Sequence, residues 1–181
     1  IVMGGGAGLM FGSSYKISTE RTRFAMPEIG VGLFPDVGFT SIIKTLPKGL
    51  GLYMMLTSTQ LTASDTVFCD LTNASINSND IDRLLIDVTK QIWHDEPEEN
   101  IDIIDSLVKN NSYSDKIKEL PESKIMKEID KIQSLTDEQE LSKVCSNILS
   151  NQTDDDWYLR GKNSFQKGSP TSAHLIWLQC L

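Results

Sequence analysis

Apolar residues return along much of this chain with the helical period, and their spacing predicts elements before any chemistry is considered. Ile81, Leu84, Leu85, Val88 and Ile92 fall on one face of a 3.6-residue repeat, which predicts a helix starting from a cap at Ser78-Asn79. Ile101, Ile104, Leu107 and Val108 make a second stripe, and Ile125, Ile129 and Ile132 a third. Leu141, Val144, Cys145, Ile148 and Leu149 make a fourth, and Thr136 with Gln139 ahead of it has the spacing of a capping box. The Asn- and Asp-rich stretches at 110–115 and 151–156 read as loops. The earlier part of the chain is patterned in shorter pieces. Ile1–Met3 reads as a strand end, residues 6–11 as a short helix, and Tyr15–Ser18 and Thr22–Ala25 as short strands. Helices are predicted over Val37–Thr45, Leu50–Ser58 and residues 62–68, with a strand piece around Ala74–Ile76. The outcome is an α/β beginning and an all-helical remainder, without internal repeat.

Charge and cysteine usage change this picture a little. The 181 residues carry a formal net charge of −8. Residues 1–70 hold five acids and five bases, so the whole excess lies in 71–181, with 20 acids against 12 bases. Nucleic-acid recognition requires clustered Lys and Arg, so an acidic helical half argues against it and reads as a solvated surface. No membrane span is visible in the pattern. Cys69, Cys145 and Cys180 are odd in number, widely spaced and without a CxxC pair, the usage of reduced core thiols in an intracellular protein. His94 and His174 share no ligand spacing with them, so no metal site is expected. Ile1 enters directly into a buried-looking strand and Thr171–Leu181 ends within a helical pattern. The sequence is therefore expected to be an internal piece of a longer polypeptide, which leaves a transit peptide open.

Chemistry gathers in the stretch from Ala25-Met26-Pro27-Glu28 to Pro35-Asp36-Val37-Gly38. Glu28 and Asp36 sit among apolar residues, glycines and prolines, and carboxylates in such company are usually desolvated, with a pKa raised toward the range useful for proton transfer. Pro27 and Pro35 stiffen the chain before each acid. The competing reading is a turn-rich loop with Asp36 as the N-cap of the helix beginning at Val37. Upstream, Ile1-Val2-Met3 runs into Gly4-Gly5-Gly6-Ala7-Gly8 and on into apolar Leu9-Met10-Phe11. Free N–H groups at a helix start make a ready anion site. No Gly-Lys-Ser/Thr follows, which excludes a Walker loop. The dinucleotide spacing fails too, because its third glycine falls on Leu9 when counted from Gly4 and on Phe11 when counted from Gly6. An oxyanion hole for a carbonyl substrate remains.

The run Met3-Gly4-Gly5-Gly6-Ala7-Gly8-Leu9, the segment Ala25-Met26-Pro27-Glu28 and the segment Gly32-Leu33-Phe34-Pro35-Asp36-Val37-Gly38 resemble the crotonase (enoyl-CoA hydratase/isomerase) superfamily. Within it the likeness is to the 3-hydroxyisobutyryl-CoA hydrolases. It continues through Leu46-Pro47-Lys48-Gly49-Leu50-Gly51 and Leu56-Thr57 and returns at Ser169-Pro170-Thr171-Ser172; over residues 80–165 it lies in the helical pattern. The fold implied is α/β: the C-terminal part of a crotonase-type ββα spiral over residues 1–78, then a helical region over 79–181. Hydratases of the superfamily place one glutamate three residues after the oxyanion glycine and another in the Met-Pro-Glu segment. Here the first position is Gly8, so thioester hydrolysis is expected rather than hydration of a double bond.

The resemblance implies a coenzyme A thioester whose carbonyl sits over Gly5, with Gly4, Gly5 and Gly6 holding that end of the substrate. The Gly5 N–H is one expected oxyanion donor, and the second lies outside this chain. Glu28 is the expected nucleophile, forming a mixed anhydride, or the general base activating water; both roles stay open. Asp36 is expected to bind the substrate hydroxyl or to assist proton transfer to the leaving thiolate. The substrate implied is 3-hydroxyisobutyryl-CoA of valine breakdown, in a mitochondrial setting. Coenzyme A is part of that substrate, so no cofactor is expected, and a homo-oligomer through the full-length crotonase core is. Phe39-Thr40 stand where the family continues with glycines, and Ser58 where a glycine commonly ends the preceding helix; both bear on substrate choice. Two competing readings are an enoyl-CoA isomerase, which needs only one carboxylate, and a non-catalytic interaction module that retains the fold.

Overall fold

Two short parallel ladders organise the first part of the chain. β1 (Val2–Met3) pairs with β3 (Phe24–Ala25), Val2 opposite Phe24 and Met3 opposite Ala25. β2 (Ile17–Thr19) pairs with β4 (Ala74–Ile76), Ser18 opposite Ser75. The computed structural model describes residues 1–110 and 120–181. Parallel neighbours require crossovers, and α1 (Gly5–Phe11) supplies the first. An antiparallel pairing of Phe24 with Leu61, with N···O distances of 3.0 and 2.7 Å, then lays the stretch before Leu61 across β3.

α3 (Leu50–Thr57) is the centre of the core, and all eight of its residues are buried. The sequence Leu-Gly-Leu-Tyr-Met-Met-Leu-Thr is apolar all round, which suits a helix enclosed on every side. α2 (Phe39–Ile43), α7 (Lys124–Thr136), α9 (Asp156–Lys167) and α10 (Pro170–Gln179) pack against it. The main cluster runs from Ala7, Phe24 and Met26 through α3 to Ile125, Ile132, Val144, Ile148, Tyr158 and Ile176. α8 (Leu141–Ser150) contributes Val144 and Ile148 to it. A second, smaller cluster joins Leu84 of α5 (Ile81–Thr89) and Val108 of α6 (Pro97–Asn110) to Ile76, with Tyr15 and Ile17 against it. No described helix is long and apolar enough to cross a membrane.

One buried carboxylate ties the two halves together. Thr62 and Asp65 form a capping box at the start of α4 (Ala63–Phe68). Asp65 is 1% exposed and also accepts from Ser123 Oγ at 2.7 Å and from the Ile125 N–H at 2.9 Å, where α7 begins. α9 is fastened by polar and aromatic contacts. Lys124 lies 2.8 Å from Glu128 and 2.5 Å from Asp155, the Tyr158 hydroxyl donates to Glu128 at 2.9 Å, and Trp157 stacks on Tyr53 with ring centres 5.7 Å apart.

Several boundaries differ from the sequence pattern. α2 begins at Phe39, not Val37, because Gly38 adopts the left-handed conformation (φ 79°) and serves as its N-cap; Asp36 does not cap it. α5 stops at Thr89, and Ile92 is 81% exposed beyond its end. Leu85 is also mostly exposed, so the stripe is only partly used. The Thr136–Gln139 box does not form. Thr136 closes α7 with its hydroxyl donating to the Ile132 carbonyl at 2.9 Å, and α8 starts after Glu140. The loop expected over 110–115 lies, beyond Asn110, outside the described residues.

Candidate active site

The β1–β3 register brings Gly4 and Glu28 to the same end of the ladder, one residue past Met3 and three past Ala25. Gly4 takes φ 52°, ψ −126°, a conformation that a side chain disfavours, and it heads α1 as its N-cap. Its carbonyl accepts the Ala7 N–H at 2.8 Å. The N–H groups of Gly5 and Gly6, in the first turn, have no acceptor within the helix. Glu28 opens a 3-10 turn (Glu28–Val31) that packs on α3, α9 and α10. The turn is fixed by close contact: the Ser169 N–H donates to the Ile29 carbonyl at 3.0 Å, and a Cβ on Gly168 would come within 2.8 Å of Ile29 Cγ1.

Glu28 is therefore held with its side chain inward, and only 8% of the residue is exposed. Its Oε1 lies 3.6 Å from the point where a Cβ on Gly4 would stand, so the carboxylate faces the head of α1. Neither of its oxygens has a hydrogen-bond partner among the described residues. Burial pushes its pKa above the ordinary carboxylate value, and the charge of Asp36 adds to the effect. An acid in this state exchanges a proton nearer to neutrality than a solvated glutamate, and its lone pairs are open to a reactant.

Asp36 departs from the expectation of a desolvated acid. It is exposed, while Pro35 before it is buried, and Gln179 of α10 holds the loop by donating to the Pro35 carbonyl at 2.6 Å. The loop thus turns Asp36 outward, where its charge still acts on Glu28. The position three residues after Gly5 is closed. A Cβ on Gly8 would lie 2.9 Å from Val37 Cβ, so a second glutamate has no room there unless Val37 moves. That constraint is not legible in a glycine count; it needs the loop at Val37 folded onto α1. The cationic side chains of Arg23 and Arg160, which line one cavity beside α9, also escaped the sequence reading because nothing local connects them.

The solved structure of a carnitinyl-CoA dehydratase from Mycobacterium thermoresistibile superposes with a TM-score of 0.77 at 21% identity, covering 99% of this chain and 49% of that one. The fold is thus that of the crotonase class, a helix-rich α/β architecture. The enoyl-CoA hydratase/isomerase family model matches residues 1–181, and the chain belongs to that family. A relative, the mitochondrial 3-hydroxyisobutyryl-CoA hydrolase of Xenopus tropicalis, is 32% identical over 180 residues, 99% of this chain and 45% of the relative. The chain thus spans less than half the length of that protein. The small ribosomal subunit protein mS47 of Neurospora crassa is 38% identical over 84 residues, 46% of this chain and 16% of its own length.

Proposed function

We propose that the protein is an acyl-CoA thioester hydrolase and that its substrate is 3-hydroxyisobutyryl-CoA, with this chain forming the C-terminal part of the ββα spiral. The observation that carries the reading is Glu28, buried against the glycine head of α1 without a hydrogen-bond partner among the described residues. In this reading the thioester carbonyl lies over Gly5, whose N–H stabilises the oxyanion, with Gly4 and Gly6 leaving the approach open. Glu28 attacks the carbonyl or activates water, and the thiolate of coenzyme A leaves. Asp36, at the solvent side, meets the substrate hydroxyl or relays a proton to the thiolate. Gly8 packed on Val37 supports hydrolysis over hydration, because the second carboxylate of a hydratase has no space. The name of the Xenopus relative supports a mitochondrial setting.

The likeness to mS47 favours one other reading, a fold retained for assembly. A buried carboxylate without partners lowers stability, and a purely architectural role gives no return for that. The test is release of free thiol from 3-hydroxyisobutyryl-CoA by the whole protein, compared with Glu28→Gln. Turnover lost in the variant while coenzyme A still binds supports the proposal. Turnover absent from both, with normal folding, leaves the assembly reading.

A further inference from the structure

We propose that the cavity between α9 and the α3–α4 loop binds a phosphate group through Arg23 and Arg160. The cavity has a volume of about 440 Å³, and no acidic residue among the described ones lines it, although the chain as a whole carries a net charge of −8. Neither guanidinium has an acidic partner among the described residues: Arg23 Nη1 donates to the Thr22 carbonyl at 2.7 Å, and Arg160 Nε to the Asp156 carbonyl at 3.3 Å. Most of their donors stay available, and a guanidinium fork matches the oxygens of phosphate.

Both arginines are exposed side chains on the wall of this cavity. Arg23 directly precedes β3, and the Phe24–Leu61 pairing fixes the loop from Ser58 to Gln60 beside it. Arg160 precedes Gly161, where α9 comes so close to α3 that a Cβ would stand 3.2 Å from Thr57 Cβ and 3.3 Å from the Tyr53 hydroxyl. Ser58 and Ser164 add hydroxyls to the wall, and Trp157 adds an aromatic surface. A volume of this size exceeds a bare phosphate and falls in the range of about 300–1,000 Å³ that accommodates an organic ligand. The phosphate can be free orthophosphate or the 3′-phosphate of a coenzyme A thioester; the pocket itself does not rest on the thioesterase reading.

The test titrates inorganic phosphate into the purified protein at fixed ionic strength, reading the ³¹P line width and the thermal midpoint. Millimolar phosphate is expected to broaden the line and raise the midpoint. Arg23→Gln and Arg160→Gln should each weaken the effect roughly tenfold or more. Lys162→Gln, on the same helix but outside the cavity wall, should leave it intact. No binding to the unmodified protein, binding unchanged in both arginine variants, or an equal loss in Lys162→Gln overturns the proposal. With the arginine dependence present, competition by coenzyme A but not by dephospho-coenzyme A identifies the 3′-phosphate as the source. Competition by neither identifies free phosphate.

Discussion

Asp65 is 1% exposed and accepts hydrogen bonds from Thr62, Ser123 and Ile125, whereas Glu28 is 8% exposed and accepts none from the described residues. Taking a carboxylate out of water costs free energy that only donors or a cation return. Around Asp65 the donors come from two helix starts, α4 and α7, so the charge is spent on joining segments far apart in sequence. Around Glu28 the described chain presents the face of Gly4 in place of donors. One interior acid stabilises the fold; the other is held at an energetic disadvantage with its reactive atoms free. The difference separates architecture from candidate chemistry without reference to any relative.

The largest expected effect is on rate. Glu28→Gln should lower thiol release from 3-hydroxyisobutyryl-CoA by at least about 10²-fold, while Asp65→Asn in a folded sample should change it little. Equal losses in both would erase the contrast. Stability should follow the opposite order. Asp65→Ala leaves Ser123 and the α7 amide without their acceptor and removes the Asp65 half of the capping box of α4, so denaturant unfolding should show a loss of about 3–5 kcal/mol. Gly8→Ala should cost about 1–3 kcal/mol in the same measurement, because Val37 must give way. A neutral result there would mean that the space for a second glutamate exists after all.

The smallest effect is a pH dependence. The pKa of Glu28 is raised in the folded state, so the folded protein holds this proton more tightly than the unfolded chain. Its contribution is fully present below the unfolded value and is lost as pH rises through the folded one. Glu28→Gln should therefore be more stable than the parent near neutrality, and the gap should close below the ordinary carboxylate range. Thermal midpoints across pH 3–8 read this directly, and a gap that widens toward acid would contradict burial as the cause.

Much of this was legible in the residues. The glycine run, Pro27 and Glu28 carry backbone and solvation demands strong enough to be read singly, and the stripes of α6, α7 and α8 are deep enough to mark helices. What failed was set by contacts outside the reading window. Asp36 looked desolvated from its neighbours, but Pro35 takes the interior place and Gln179, far along the chain, holds the loop. The box at Thr136–Gln139 lost to a hydroxyl turned back on its own helix, while the real box at Thr62–Asp65 was present as the pattern Thr-Ala-Ser-Asp and passed over. α9 was not resolved as an element because its acidic start resembles the loop before it. Its Trp157, Tyr158, Gly161 and Phe165 spacing was the available signal.

The three cysteines are free, and burial is the first cause of their raised pKa values: about 12 for Cys69, about 11 for Cys180, and upward for Cys145. Disulfide reagents react with the thiolate, which at pH 8 is only roughly one part in 10⁴ of a thiol with a pKa near 12. In the native protein Cys69, buried and with the most strongly raised of these values, should therefore stay nearly silent toward such a reagent on the timescale of a thioesterase assay. Once the interior opens, the same reagent would reach this sulfur, and a slow rise in absorbance from a substrate-free blank would time the unfolding.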